Sequence, residues 1–159
     1  RIKDKARALD WYRRAALKGC IAAQYELGKE KYLVKEYKDA LTWLQTAVNH
    51  GNLPANYYLG VMYYHGWGVI KDFDRSFAYF SNAGTFSGTY YFMGMFYYYG
   101  YGKLNKNLNK AFWYFRRYED VNPDKYAEYY LGLCYKNGMV RRNHFKRHFR
   151  ILKSLLRRE

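Results

Sequence analysis

The sequence is short of proline and cysteine, with two of each in 159 residues. With so few prolines, most of the chain is free to be helical, because proline breaks helix interiors. Cys20 and Cys134 lie far apart, at no metal-ligand spacing. They read as two free or buried thiols rather than a disulfide framework. No apolar run approaches the roughly 20 residues that a membrane-spanning helix needs. Acidic residues are scarce too, 13 against 28 basic, leaving a formal net charge of +15. That balance suits an acidic protein, nucleic acid or an anionic surface, and does not choose among them.

What is plentiful is apolar and aromatic. Half of the residues are hydrophobic, 22% are aromatic, and tyrosine alone contributes 21. With 26% charged residues, this is a globular composition and not a disordered one.

Apolar spacing of three and four predicts helices along nearly the whole chain. The first, Asp4 to Lys18, carries Ala8, Trp11, Tyr12, Ala15 and Ala16 and stops at Gly19. Helices follow over Ile21 to Leu33 and Glu36 to Asn49. Pro54 suits the opening turn of the next. Asp72 and either Asn107 or Asn109 suit helix caps, and Pro123 with Asp124 opens a further helix. A last helix is expected over Asn143 to Arg158, with Phe145, Phe149, Leu152 and Leu156 on one face.

The first and third helices align at an offset of 32 residues: Ala8, Leu9, Trp11, Ala15 and Gly19 fall on Ala40, Leu41, Trp43, Ala47 and Gly51. The pairs Leu27-Gly28, Leu59-Gly60, Met93-Gly94 and Leu131-Gly132 recur at spacings of 32, 34 and 38 residues. A period in this range signals a solenoid of stacked helix pairs, none of which can bury its apolar face alone. The chain opens on the second helix of a repeat and on Arg1 rather than Met, so an upstream helix is expected to be missing, with room for a signal peptide before it. Gly60 and its equivalents have no side chain, so another helix can approach closely. The Gly66-Trp67-Gly68 and Gly100-Tyr101-Gly102 turns supply backbone freedom where the chain reverses.

These residues resemble the Sel-1-like repeat family, relatives of the tetratricopeptide repeat. Ala55, Leu59, Gly60, Tyr63, Gly66, Gly68, Val69 and Asp72 match its pattern position for position. The next repeat keeps Gly94, Tyr97, Gly100 and Gly102 but has Met93 for Leu and Lys103 for Val. The first full repeat keeps Ala23, Leu27 and Gly28 without the Gly-x-Gly turn, and the last keeps Ala127, Leu131, Gly132, Tyr135 and Gly138. The resemblance implies an all-α fold, a right-handed α-solenoid of antiparallel helix pairs. It also implies an adaptor that binds a partner protein on a concave face, without catalytic residues or cofactor. Bacterial look-alikes include secreted or periplasmic factors. The expected organisation is one domain over 1–159: a truncated repeat at 1–19, repeats at 20–51, 52–86, 87–121 and 122–142, and a basic helix at 143–158.

With Leu59 facing its partner helix, Tyr57, Val61 and Tyr64 fall on the opposite side. The equivalent sets are Tyr25, Lys29 and Tyr32; Tyr91, Met95 and Tyr98; and Tyr129, Leu133 and Lys136. They form a candidate tyrosine ladder for a protein partner, since tyrosine offers contact area with a polar tip. Tyr64, Tyr98 and Lys136 are expected to be exposed, whereas the first tyrosine of each set equally suits packing between successive helices. A second candidate is the basic patch Lys146, Arg147, Arg150, Lys153, Arg157 and Arg158, in a stretch from Arg141 to Arg158 that holds eight basic residues and no acidic one. It reads as the wet side of a capping helix, as a dock for an acidic partner, or as a nucleic-acid or anionic-membrane surface.

An enzyme is not expected. His50, His65, His144 and His148 have no carboxylate or cysteine at metal spacing, and His144 and His148 sit among cations that repel a metal. The glycine turns follow helices rather than strands, unlike phosphate loops. The leading expectation is a scaffold for an acidic protein, with the cytoplasm favoured over the periplasm or secretion. The alternative is an anion-binding module led by the final helix.

Overall fold

The structure is a computed structural model and describes residues 2–138, with side chains from residue 4 onward. The expected final helix and its basic patch, Lys146 to Arg158, lie outside the described residues. Within them are eight helices and no strand: α1 (Ile2–Leu17), α2 (Ile21–Leu33), α3 (Tyr37–Asn49), α4 (Leu53–His65), α5 (Phe73–Asn82), α6 (Ser87–Tyr99), α7 (Leu108–Val121) and α8 (Lys125–Lys136). Each helix packs on the next in sequence, and α2 also meets α4. The helices are therefore stacked as pairs, α2 with α3, α4 with α5 and α6 with α7.

Local chemistry sets the helix ends. Asn52 accepts from the Ala55 amide at 2.9 Å, Asp72 from Arg75 at 2.9 Å, and Asn107 from Lys110 at 3.0 Å. Asp124 takes both the Tyr126 and Ala127 amides at 2.8 Å. Each side chain satisfies amides that the first turn leaves without a helical partner. Asn107 rather than Asn109 takes the cap of α7. Gly66 and Gly100 close α4 and α6 in the left-handed conformation, which costs glycine nothing. α2 closes differently: Val34 stands where the other repeats have Gly66, Gly100 and Gly138, and the left-handed residue is the next one, Lys35, with φ +64°.

The seam inside each pair depends on the glycine that follows the anchor residue. A Cβ on Gly28 would lie 2.8 Å from Leu44, one on Gly60 2.8 Å from Phe80, and one on Gly94 2.6 Å from Phe115. Leu44, Phe80 and Phe115 are fully buried there. Ala40, Ser76 and Ala111 keep the same seam narrow from the opposite helix, and Ser76 donates its hydroxyl to the Gly60 carbonyl at 2.7 Å. Between pairs, Ala40, Leu44 and Ala47 of α3 join Ala55, Leu59 and Met62 of α4 in one core cluster.

The glycine turns also reach back to the preceding repeat. Gly68 lies so close to Tyr37 that a Cβ would meet its side chain at 2.6 Å, and Gly102 rests against Asp74. Asp74 in turn accepts from the Lys103 amide at 2.9 Å. The turn thus locks the start of the previous pair's second helix. Cys20 is exposed and Cys134 buried, both as free thiols; burial pushes the Cys134 thiol up to about 11.

Adding a methyl group at Gly94 forces Phe115 out of a filled seam, an overpacking cost of about 2 kcal/mol. Urea unfolding of Gly94→Ala should show this loss, and Gly94→Ala combined with Phe115→Leu should regain part of it.

Candidate partner-binding face

The tyrosines two before and five after the first three anchors are seven residues apart, two turns along one side of the helix; at the fourth, Lys136 takes the second place. In the structure they form a clamp. The ring one residue before the next repeat's anchor enters it. Tyr58 sits 6.0 Å from Tyr25 and 5.0 Å from Tyr32, Phe92 6.2 Å from Tyr57 and 5.1 Å from Tyr64, and Tyr130 6.1 Å from Tyr91 and 5.6 Å from Tyr98. Most of these pairs meet edge to face, the favoured geometry for aromatic quadrupoles. Tyr58, Phe92 and Tyr130 were not among the sequence candidates. Their signal was present, an aromatic before the anchor in three of four repeats, with Glu26 at the first.

The tyrosine ladder is therefore largely internal. Tyr98 is 7% exposed, with its hydroxyl accepting from the Asn137 amide at 2.9 Å, and Val61 is 4% exposed against Phe80, Met93 and Phe96. Both lie inside, contrary to the expectation of a contact surface, because the following helix covers that side. Tyr64 is half-buried among Phe73, Phe92, Phe96 and Tyr101, and burial raises its pKa. Tyr57 is lodged against Phe86 at 4.5 Å, beside Gly88, where a Cβ would strike its ring. Burial also raises Tyr25, Tyr32, Tyr57 and Tyr91, so all five hydroxyls stay protonated near neutrality. Met95 is half-buried beside the Ala111 and Phe115 cluster.

Three of the candidates reach solvent. Lys29 is partly exposed, paired with Glu26 at 3.3 Å and lying over the Tyr25 ring. Tyr129 is 59% exposed and Lys136 is exposed. The position six after the anchor is also exposed, at Leu33, His65, Tyr99 and Asn137. There the rings form short stacks. His65 lies on Trp67 at 4.4 Å and Trp67 on Tyr37 at 5.3 Å; one repeat on, Tyr99 lies on Tyr101 at 5.1 Å and Tyr101 on Phe73 at 4.4 Å. No group of three or more His, Cys, Asp or Glu able to hold a metal occurs among the described residues.

Five stretches of the chain, 1–20, 21–52, 53–84, 89–117 and 125–146, match the family model described as Sel1 repeat. The chain belongs to the Sel1 repeat family. Its fold is similar to that of a protective antigen present in uropathogenic Escherichia coli strains that displays an SLR fold. That match has a TM-score of 0.73 at 23% identity, over 87% of this chain and 30% of the other. It is also similar to a Sel1 repeat protein from Oxalobacter formigenes, with a TM-score of 0.67 at 26% identity, over 82% of this chain and 55% of the other. The chain thus spans about a third to a half of these neighbours' length. No curated protein matches it. Sel1 repeat proteins are generally protein–protein interaction scaffolds, and the family fold is typically non-enzymatic.

Truncating the inserted ring should cost more than truncating an exposed one. Tyr58→Ala is expected to lose about 3 kcal/mol in urea unfolding, and Tyr129→Ala under about 0.5 kcal/mol. His65 supplies a pH signature. Burial and the Lys71 ammonium lower its pKa below 6.5. On acidification the unfolded chain then takes up the proton first, so the associated stability is complete above pH 6.5 and is lost as pH falls through and below it. The wild type should lose more Tm between neutral and mildly acidic pH than His65→Gln, and Lys71→Gln should narrow that difference.

Proposed function

We propose that the chain is a non-enzymatic scaffold whose first helices, α2, α4, α6 and α8, present an inner face to an acidic partner protein. The observation that carries this is the charge on that face. Opposite the Leu-Gly seam, the positions five and one before the anchor and two and six after it hold one carboxylate, Glu26, and Lys29 pairs with it. The rest are apolar or aromatic residues, His65 and Asn137; Val61 and the inserted rings are packed inside, while Leu33, His65, Tyr99, Tyr126 and Asn137 are exposed, with Tyr129 and Lys136 exposed beside them. A face without free negative charge, on a chain with net charge +15, draws an acidic partner by long-range steering and rejects basic ones. The exposed Tyr99, Tyr126 and Tyr129 supply contact area, with few rotamers to freeze on binding.

The test is capture of partners from the source cell by the full chain, with identification by mass spectrometry. The variant Lys29→Glu, Tyr129→Ala, Lys136→Glu should lose acidic partners with its Tm unchanged. Arg117→Glu, on the side of α7 where Arg117 lies over Trp113, should retain them. Partners that survive the first variant and vanish with the second would overturn the assignment.

A further inference from the structure

Three lysines occupy one place in the repeat. Lys35, Lys71 and Lys106 each come immediately before the N-cap of a second helix, Glu36, Asp72 and Asn107. All three are exposed. They line the edge where the first helices end, next to the exposed positions His65 and Tyr99.

Their surroundings are shaped by the fold. The Lys71 Nζ lies 4.5 Å from the centre of the Phe73 ring, which is the inner member of the Tyr99–Tyr101–Phe73 stack. The Lys106 Nζ lies 5.2 Å from the Tyr98 ring, which abuts Tyr99 at 4.9 Å. The two cations therefore flank one aromatic stack. Each rests on a ring, where the charge keeps most of its hydration and stays open to a second partner. Lys35 adds an independent observation. It is the only non-glycine residue with positive φ among the described residues, at +64°. A side chain there costs about 1 kcal/mol relative to glycine, and the residue two beyond the helix end in the same left-handed conformation is glycine after α1 and α3, at Gly19 and Gly51. Backbone strain retained at an exposed lysine points to use of the lysine.

We infer that Lys35, Lys71 and Lys106, with the His65–Trp67 and Tyr99–Tyr101 stacks between them, form a rim site for an extended acidic segment of a partner protein. Successive first helices pack through their rings, α2 on α4, α4 on α6 and α6 on α8, and packed helices lie about 8–10 Å apart, so equivalent rim positions are expected to recur at about 10 Å. An extended chain advances about 3.3 Å per residue, so every third residue comes level with a lysine. The matching segment carries a carboxylate at every third position, and its intervening side chains lie on the His65 and Tyr99 rings. This deepens the proposed function and rests on it, naming the edge of the inner face as the place where the partner's acidic segment lies.

The probe is a fluorescein-labelled 13-residue peptide with Glu at every third position, compared with an isomer whose Glu residues are contiguous and with a single-stranded oligothymidine of equal length. Anisotropy with the full chain should show the spaced peptide binding tighter than both. Lys35→Gly, Lys71→Gln and Lys106→Gln should each weaken it about threefold, and the triple variant about thirtyfold, with a shallower salt dependence. Lys35→Gly should also raise the Tm, so that stability and affinity move in opposite directions, which a purely structural lysine would not do. Equal affinity for the two peptides, tighter binding of the oligothymidine, or indifference to the triple variant would each overturn the rim site. If the triple variant still captures acidic partners that the Lys29, Tyr129, Lys136 variant loses, the rim site fails and the scaffold function stands. If neither variant loses them, both fall.

Discussion

One event recurs at every junction between successive repeats, the entry of an aromatic ring from one first helix between two tyrosines of the first helix before it. Tyr58, Phe92 and Tyr130 are the inserted rings, and each clamp spans seven residues. A lone helix pair leaves that side of its first helix uncovered. Stacking covers it, and the depth of the inserted ring sets how closely the next pair approaches. Phe92 serves as well as Tyr58 or Tyr130 because the clamp grips ring faces and edges rather than a hydroxyl. Eight of the 21 tyrosines are thus taken up by the adhesion of the repeats.

The second consequence concerns charge. With 13 acidic residues against 28 basic ones, carboxylates cannot neutralise the cations. Among the described residues, eight cations lie over rings: Arg14, Lys29, Lys71, Arg75, Lys106, Lys110, Arg117 and Lys125. Aromatic abundance and basicity are coupled here. Some rings that build the stack, such as Tyr25, Tyr63, Tyr97 and Tyr98, also seat cations at its surface, and the exposed Trp11, Trp113 and Tyr126 seat others. Arg75 over Tyr63 and Lys110 over Tyr97 occupy equivalent places, and Tyr63 and Tyr97 each stack in turn on Tyr79 and Tyr114.

The helices, their caps and the glycine seam were legible because each is a local matter. Gly60, Asp72 and the 32-residue offset speak for themselves once aligned. The fate of Tyr64 and Tyr98 was not legible. Helical periodicity tells which way a side chain leaves its own axis, but not what arrives from the next repeat. The inserted ring lies 26 residues away for Tyr58 and Tyr32, 28 for Phe92 and Tyr64, and 32 for Tyr130 and Tyr98. Changing spacings blur that column, and Glu26 interrupts it in the first repeat. The lysines before the caps were hidden for a related reason: each looks like an ordinary turn residue until three turns are placed in one row.

The sequence by itself determined that the chain is a stack of helix pairs with a Leu-Gly seam, strongly basic and rich in tyrosine. Those properties follow from short-range spacing and from composition. Only the tertiary structure decided which tyrosines are mortar and which are surface, and that Lys35, Lys71 and Lys106 share an edge. Exposure depends on the neighbour that covers a residue, and for the clamp tyrosines that neighbour is one repeat away.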